Sequence, residues 1–395
     1  SSAALTLASA GVDVLLVDRA TLPRRKVCGG CLGPPAIVLL RGLGLLDAVR
    51  DAGAVSIDVM QLRAGRRRAR LRLPGSLSLS RYRLDALLCD AVVDAGGDVC
   101  FGVRVERLAT EDEGVELRVR FEGEVRRLRA RVVVDATGLG GLQLRGARSA
   151  EDVAEGSRVG LGAVFPPDVV PPHDRSAGRG SSICDPGELN MMVGRYGYVG
   201  MVRTESGALD VAAAVDRSSV SRLGPAGAVA AIVREAGSRL PETEPVFGWR
   251  GTPALTRRTP RAAEGNVFRV GDAAGYVEPF TGEGMGWALA GGVSVAPLVL
   301  EALDGAGEEA ARRWIRTHRR VVERRQRVCR FLALGLRRPV LVGAAVRALR
   351  VAPVLARPLM AATARLPHLD DAARWTGEPA TGASPEIPVG AGVAP

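Results

Sequence analysis

The segment 271–285 carries the densest run of chemically informative residues, GDAAGYVEPFTGEGM. An apolar run of strand length precedes Gly271 and Asp272, and a helical pattern begins at about Gly284. A carboxylate at the end of a strand can accept hydrogen bonds from a polyol, and glycines let backbone amides approach a ligand closely. The following helix presents free N–H groups and the positive end of its dipole, which stabilise negative charge. The segment therefore predicts a site for a large anionic cofactor.

The first eighteen residues fit the second half of a nucleotide-binding βαβ unit. Residues 1–10 have a helical composition, Gly11 is expected to end that helix, and an apolar run of strand length, 12–17, closes with Asp18. In such a unit the acid that ends the second strand binds the adenosine ribose, about 20 residues after a glycine loop. We therefore expect the first strand and its G-x-G-x-x-G loop to precede Ser1, so that the sequence is incomplete at its N-terminus. The alternative is that this acid merely caps a strand in another α/β protein.

Three further segments could shape a binding site. Residues 23–34, PRRKVCGGCLGP, contain three glycines and two prolines, which predicts a shaped loop. Arg81 stands at the start of a helical pattern that continues to about residue 95. Strands are predicted over 99–108, 115–121 and 125–134, and the last runs into Asp135-Ala136-Thr137-Gly138.

Together these segments resemble, in the same order, the motifs of the flavoprotein superfamily that includes geranylgeranyl reductases, aromatic hydroxylases (group A flavin monooxygenases) and flavin-dependent halogenases. The resemblance covers most of the chain. Its motifs are the end of the ADP-binding unit at 1–18, the Lys-x-Cys-Gly-Gly loop of reductase-like members at 24–34, the Arg-x-x-Leu-Asp helix start at 81–85, the short motif at 135–138 and the second FAD-binding motif at 271–285.

This resemblance implies FAD as cofactor, with NAD(P)H as its reductant. It places Asp18 on the adenosine ribose, Asp272 near the ribityl chain or pyrophosphate, and Arg24, Arg25 or Lys26 on a phosphate. The 282–285 turn would face the isoalloxazine, with the Cys-Gly-Gly loop along its other side. The full set of implied cofactor contacts is Asp18, Arg24, Lys26, Cys28, Gly29, Gly30, Arg81, Asp135, Gly138, Gly271, Asp272, Pro279, Gly282, Gly284 and Met285. No catalytic residue is assigned.

The expected fold is α/β: a Rossmann-like FAD-binding domain of the glutathione-reductase type, an inserted antiparallel β substrate domain, and C-terminal helices. Tyr196, Tyr198, Trp249 and Trp287 are candidates for the substrate pocket, with core packing as the alternative. The expected boundaries are 1–75, 76–150 and 256–305 for the FAD-binding parts, 151–255 for the substrate domain, 306–368 for basic C-terminal helices and 369–395 for a disordered tail.

Basic charge is concentrated near the C-terminus. The chain of 395 residues has a formal net charge of +11, and residues 312–365 hold fifteen arginines and one acid. A basic helix at 312–338 could lie on an anionic membrane or bind an acyl-carrier protein. Nucleic-acid binding is not expected, because no recognised module accompanies the charge and aromatic residues make up only 4%. The absence of a long uncharged apolar run predicts no transmembrane span, and the expected location is the cytoplasm, with membrane association as an alternative.

The cysteines and histidines offer weaker signals. Cys28-x-x-Cys31 could form a redox pair, but no second ligand pair lies near it in the sequence, so zinc is not expected. His173, His318 and His368 lack the partners of a hydrolase triad. We predict no metal site.

The predicted function is FAD-dependent oxidoreduction of an apolar organic substrate such as an isoprenoid, a lipid or a polyketide-like molecule. The Cys-Gly-Gly loop and the Gly-Glu-Gly-Met turn favour a reductase of the geranylgeranyl reductase type. The first alternative is a monooxygenase that hydroxylates the substrate. Halogenation is disfavoured, since the chain has no Trp-x-Trp-x-Ile-Pro segment. The second alternative is a non-catalytic protein that binds a lipid or a carrier protein.

Overall fold

The computed structural model describes residues 1–111, 114–140, 142, 152–167, 184–259, 261–278, 280, 282–358 and 360. Helices in chain order are α1 (Ser2–Ser9), α2 (Pro34–Gly42), α3 (Leu46–Asp51), α4 (Arg81–Asp94), α5 (Arg217–Glu235), α6 (Gly284–Glu301), α7 (Gly307–His318), α8 (Arg324–Gly335) and α9 (Pro339–Val351). Strands are β1 (Leu15–Asp18), β2 (Cys31–Leu32), β3 (Val55–Ala64), β4 (Arg67–Ser78), β5 (Asp98–Phe101), β6 (Arg104–Glu111), β7 (Gly114–Phe121), β8 (Glu124–Ala130), β9 (Val133–Asp135), β10 (Asp152–Val153), β11 (Val159–Phe165), β12 (Glu188–Gly194), β13 (Gly197–Arg203), β14 (Leu209–Val215), β15 (Arg250–Ala254), β16 (Arg257–Arg258), β17 (Ala263–Glu264) and β18 (Val267–Arg269).

Two pairs of parallel strands build the nucleotide-binding part. β1 pairs with β5, and β9 pairs with β18 in a register that sets Asp135 opposite Arg269. Because ligands of open α/β sheets bind beyond the carboxyl ends of parallel strands, Asp18, Asp135 and the 271–274 turn all occupy binding positions. α1 packs on α6 through an apolar cluster that includes Leu7 and Val295, and Gly11 follows α1 with φ +79°, as expected of a helix-ending glycine. The predicted α/β fold with a Rossmann-like flavoprotein architecture is confirmed.

An eight-stranded sheet forms the second part, with the order β15-β11-β14-β13-β12-β3-β4-β2. Its neighbouring strands are antiparallel except for β12 and β3. β3 and β4 belong to this sheet, although residues 1–75 were expected in the FAD-binding part. The alternation of residues 56–79 predicts strands but does not reveal their distant partner β12.

The two faces of this sheet have different coverings. Side chains at 209, 211, 213 and 215 of β14 pack with α5, whereas Ala214 belongs to the cluster on the opposite face. α9 covers β3 and β4 on that opposite face through Val342 and Val346. The site described below lies on the same side as Ala214.

The helices differ from their predicted extents in two places. The sequence of residues 225–239 predicts a helix; in the structure this helix is α5, which begins earlier and breaks at Gly224, whose φ is +70°. The continuous helical stretch 284–335 contains an apolar window long enough to cross a membrane, but 67% of that window is buried inside the protein. The expected tail 369–395, His173, His368 and Pro279 lie outside the described residues.

The close contact between α1 and α6 requires a residue without a side chain at position 292. A Cβ there would stand 2.9 Å from the backbone nitrogen of Ala3 and clash with the Ser2 hydroxyl, whereas one at Gly291 would stand 3.6 Å from its closest neighbour, the nitrogen of Gly271. We expect Gly292→Ala to lower the free energy of unfolding by about 1–3 kcal/mol. The matched variant Gly291→Ala should be neutral or stabilising by up to about 1 kcal/mol, because alanine favours helix. Urea titrations of both proteins measure this, and equal stabilities would contradict the packing described.

Candidate functional site

The first part of the site is the turn that follows β18. The nitrogen of Val270 donates to the carbonyl of Asp135 at 2.9 Å, so the ends of β9 and β18 stay side by side. Gly271 then turns the chain with φ +56°, a conformation that favours glycine. The motifs at 135–138 and 271–274 are therefore brought together, as the sequence predicts.

Asp272 is the acceptor that this turn presents. Its side chain is half-buried and receives no hydrogen bond from any residue in the described ranges. Burial raises the pKa of Asp272, and the nearby cations Arg81 and Lys26 oppose that rise. A carboxylate in this position lacks the donors that a polyol ligand can supply.

Arg81, Lys26 and Asp85 form a charged cluster at the start of α4. Arg81 Nε and Nη2 donate to the two carboxylate oxygens of Asp85 at 2.7 and 2.9 Å, and Lys26 Nζ lies 2.7 Å from Asp85 Oδ2. Burial alone would raise the pKa of Asp85, but the two cations bring it below its ordinary value. Two cations share one anion, so the cluster keeps a net positive charge beside Asp272, as a phosphate group requires.

Asp18 and Arg24, both expected to contact the cofactor, contact each other. Arg24 Nη2 donates to Asp18 Oδ2 at 3.1 Å, and the nitrogen of Ala20 donates to Asp18 Oδ1 at 2.9 Å. Both side chains remain about 30% exposed. A ribose that binds Asp18 would therefore share its carboxylate with Arg24.

Asp135 has a different role from the one expected. Its buried carboxylate accepts hydrogen bonds from Thr137 N at 3.0 Å, Thr137 Oγ1 at 2.6 Å and Leu142 N at 3.1 Å. These donors all belong to the turn that contains Gly138, whose φ is +80°. We revise the prediction accordingly: Asp135 positions this turn, and its side-chain oxygens are already occupied by the protein.

The Cys-Gly-Gly loop is wedged between the 282–285 turn and the large sheet. A Cβ at Gly29 would lie 3.7 Å from Ala212 Cβ, and one at Gly162 would lie 3.1 Å from Val27 Cγ1. On the other side, a Cβ at Gly282 would lie 3.5 Å from Cys31 Cβ. Small residues thus let the loop contact both parts of the protein.

The two cysteines of this loop are free thiols. Burial raises the pKa of Cys28 and of Cys31, and the Cys31 thiol donates to the carbonyl of Gly29 at 3.1 Å. Protonated thiols are poor nucleophiles and poor metal ligands. Within the described ranges no group of three or more metal-binding side chains occurs.

The loop cation Arg25 lies away from the phosphate-binding cluster. Its guanidinium carbon lies 4.2 Å from the ring centroid of Phe247 and 5.9 Å from that of Tyr82. Of the three cations offered for phosphate binding, Lys26 is the one that joins the cluster beside Asp272.

Of the three candidates from the substrate domain, Tyr198 faces the segment 271–285, the cofactor turn. Its ring meets Phe280 edge-on, with centroids 5.2 Å apart and planes at 81°. Tyr196 and Trp249 pack in the core on the α5 side instead, where Trp249 contacts Phe165. Their contacts agree with core packing, the alternative to a place in the pocket.

Trp287 is also a core residue. It is buried between α6, α2 and α4, in a cluster that contains Leu40 and Leu84. It also lines a small cavity together with Gly33, Pro35 and Glu283. Its packing in the cluster agrees with the alternative of core packing, and its place in a substrate pocket stays a prediction.

Asp210 is a site residue that the sequence analysis missed. It lies on the same face of β14 as Ala212, and its Oδ2 would be 3.6 Å from a Cβ at Gly30. Burial raises the pKa of Asp210 to about 8, Arg25 opposes this rise, Glu205 adds to it, and the N–H of Val211 opposes it by donating a hydrogen bond. The sequence offers one signal for it: Asp210 is the single acid in the otherwise apolar strand LDVAAAV.

These residues fit FAD. Asp272 is an acceptor without a donor in the described ranges, the Arg81–Lys26 pair supplies positive charge, and Glu283 leaves the first turn of α6 without a side-chain cap. Gly282 has φ +75° and lets the backbone turn into that helix. Gly284 and Met285 form its first turn, where N–H groups face outward along the axis.

The sequence of residues 1–180 matches the family model described as an FAD binding domain. This part of the chain is therefore similar to an FAD-binding domain. It contains the parallel strands β1, β5 and β9, the Cys-Gly-Gly loop and the Arg81 cluster. The sequence matches no curated protein.

Several solved structures share the fold of most of the chain. p-Nitrophenol 4-monooxygenase PnpA from Pseudomonas putida DLL-E4 is 17% identical, with a TM-score of 0.70 over 96% of this chain and 95% of its own. The flavin-dependent brominase Bmp2 is 14% identical, with a TM-score of 0.75 over 92% and 90%. The flavin-dependent halogenase CmlS is 22% identical, with a TM-score of 0.66 over 83% of this chain and 61% of its own. These comparisons show a fold that the chain shares with flavin-dependent enzymes.

The role of Asp272 in holding FAD can be measured directly. We expect Asp272→Ala to weaken FAD binding by about 10- to 100-fold, because the variant loses a charge-assisted hydrogen bond to the cofactor. Quenching of flavin fluorescence during titration of the apoprotein measures the affinity. Asp94→Ala, which removes an exposed acid of α4, is the matched control. Equal affinity in the two variants would contradict the assignment.

The raised pKa of Asp210 predicts a pH-dependent stability. Between the ordinary carboxyl range and about pH 8 the folded protein holds a proton that the unfolded chain has lost, so this group's contribution to stability falls as the pH rises. Asparagine does not ionise. Asp210→Asn should therefore gain in Tm relative to the parent, by a few degrees, between about pH 5 and about pH 9. Thermal scans across this range test it, with Asp51→Asn as an exposed control; a pH-independent difference would refute the burial argument.

Proposed function

We propose that this protein is an FAD-dependent monooxygenase that uses NAD(P)H as reductant and hydroxylates an apolar organic substrate. The observation that carries the proposal is the apolar wall beside the cofactor turn. Phe280 packs on Tyr198, and Cys31, Tyr276 and Leu139 belong to the same cluster. Such a wall suits an apolar ring or chain and excludes water from the space next to the 282–285 turn.

The fold comparison supports a monooxygenase over a reductase of the geranylgeranyl reductase type. The similarity to p-nitrophenol 4-monooxygenase extends over nearly the full length of both chains, so it includes the large sheet as well as the FAD-binding domain. When bound, FAD would accept hydride from NAD(P)H and, once reduced, react with dioxygen. The protein's own contribution is to bind, orient and exclude water.

Each part of the site has a distinct task in this proposal. Asp272 accepts hydrogen bonds from the polyol, and Arg81 with Lys26 neutralises phosphate charge. The first turn of α6 offers N–H donors to an anionic ring edge. Asp210, at the Gly30 end of the sheet face, can hold or release a proton near neutral pH, since its pKa is raised to about 8.

A reductase of the geranylgeranyl reductase type is the second candidate. One observation favours it, the seating of Cys28 and Cys31 between the 282–285 turn and the sheet. In that reaction the two reducing equivalents from NAD(P)H end on a carbon–carbon double bond, and dioxygen is not consumed.

Oxygen uptake by the FAD-loaded protein distinguishes the two candidates. Phenols and polyprenyl lipids serve as test substrates, with NADH and NADPH offered separately and catalase present to reveal wasted oxygen. We expect one dioxygen consumed per NAD(P)H oxidised and a product heavier by one oxygen atom. Substrate reduction under argon, without oxygen uptake, would overturn the proposal in favour of the reductase.

The variant Asp272→Ala, assayed without added FAD, is the control for these turnover measurements. Failure of the parent protein to bind FAD at all would overturn both enzymatic readings and leave a binding protein.

A further inference from the structure

The outward face of α9 carries exposed aliphatic side chains at both of its ends. Val340 is 83% exposed and Val351 is 81% exposed, and Leu341 between them is also exposed. The intervening exposed positions on this face are the alanines 344, 345 and 348, with Arg347 at its edge. Because Val342 and Val346 bury the opposite face against the large sheet, α9 is apolar on both sides. One of those sides has no covering among the described residues.

The apolar face continues past both ends of the helix. At one end the last turn of α8 exposes Phe331 and Leu334, with Phe331 75% exposed. At the other end Val354 and Leu355 are exposed in the turn that follows α9. α9 has 13 residues, so the helix alone gives a stripe about 20 Å long.

Positive charge surrounds this stripe without matching negative charge. Residues 324–360 contain nine arginines and no acidic residue. Arg338, Arg347, Arg350 and Arg357 are exposed, and none of them forms an ion pair with a residue in the described ranges. The combination of exposed aliphatic side chains and uncompensated arginines is typical of a helix that lies in a membrane interface.

We propose that α9 and its flanking turns, residues 331–355, form a docking surface for an anionic lipid bilayer. The aliphatic side chains would enter the headgroup region, and the arginines would pair with lipid phosphates. A bilayer fits better than an acidic protein, because the exposed apolar side chains continue beyond both ends of α9 and arginines accompany them throughout. The surface lies farther along the chain than the basic segment 312–338 expected from the sequence.

Vesicle co-sedimentation of the full-length protein tests the proposal. Vesicles of phosphatidylcholine alone are compared with vesicles that also contain phosphatidylglycerol, at low and at high salt. We expect binding to the anionic vesicles only, and weaker binding at high salt because ions screen the arginines. No sedimentation with anionic vesicles would overturn the proposal.

Two matched pairs of variants separate the apolar and the electrostatic contributions. The triple variant Val340→Ser, Leu341→Ser, Val351→Ser should lose vesicle binding, whereas Val93→Ser, Val125→Ser, Val153→Ser, which alters exposed valines elsewhere, should retain it. The triple variant Arg338→Gln, Arg347→Gln, Arg350→Gln should partition about 100-fold more weakly. Its control is Arg217→Gln, Arg234→Gln, Arg239→Gln, exposed on or beside α5.

Circular dichroism and FAD titration show that each variant is folded, independently of any catalytic activity. Vesicle binding that survives both surface variants would overturn the proposal. A parent dimer that becomes monomeric in the serine variant would also overturn it, since a second copy of the chain would then cover the face.

Discussion

A buried ion pair, Arg158 with Glu278, holds the cofactor turn on the large sheet. Arg158 Nη1 lies 3.2 Å from Glu278 Oε1, and the two side chains are 1% and 2% exposed. Removing two charges from water costs several kcal/mol per ion, and the pair recovers this cost only with good geometry. Burial raises the pKa of Glu278, and Arg158 opposes that rise. The pair therefore ties the turn to Arg158, the residue that precedes β11.

The same arginine connects a third element. Arg158 Nε donates to Asp216 Oδ1 at 3.0 Å, and Asp216 precedes α5 on the far side of the sheet. Glu278 stands two residues before Phe280, whose ring meets Tyr198. The apolar wall of the candidate site thus lies next to a charged contact, because the Arg158 guanidinium carbon is also 5.7 Å from the centroid of the Tyr198 ring.

Local motifs carried most of what the sequence could predict. The Gly-Asp turn, the helix start at Arg81 and the loop at 23–34 depend on glycine, proline and strand signals within a few residues, and the structure has each of them. Asp135 shows the limit of such motifs. The sequence predicts an acid at the end of a strand, as the structure has it, but not that its carboxylate accepts hydrogen bonds from its own turn. Whether a carboxylate faces a ligand or its own turn depends on atoms that the motif does not specify.

The positions of Tyr196, Tyr198 and Asp210 depend on how distant strands pair, which local motifs do not specify. Tyr196 and Tyr198 differ by two residues and would share a face if one strand contained both. Tyr196 instead falls in the two-residue turn between β12, which ends at Gly194, and β13, which begins at Gly197, so the two rings separate. In the sheet, β14 lies between β11 and β13, and the Cys-Gly-Gly loop covers this part of the sheet. Asp210 of β14 is a site residue because of this long-range arrangement.

One helix connects the candidate site with the proposed membrane surface. Gln326 of α8 donates to the carbonyl of Gly275 at 3.0 Å, beneath the cofactor turn, and the same helix exposes Phe331 at its far end. These two residues are about 8 Å apart along the helix axis. An enzyme that rests on a bilayer through α8 and α9 would hold its cofactor turn close to the lipid phase, where an apolar substrate concentrates. The apolar wall at Tyr198 and the exposed stripe on α9 are then two parts of one adaptation to such a substrate.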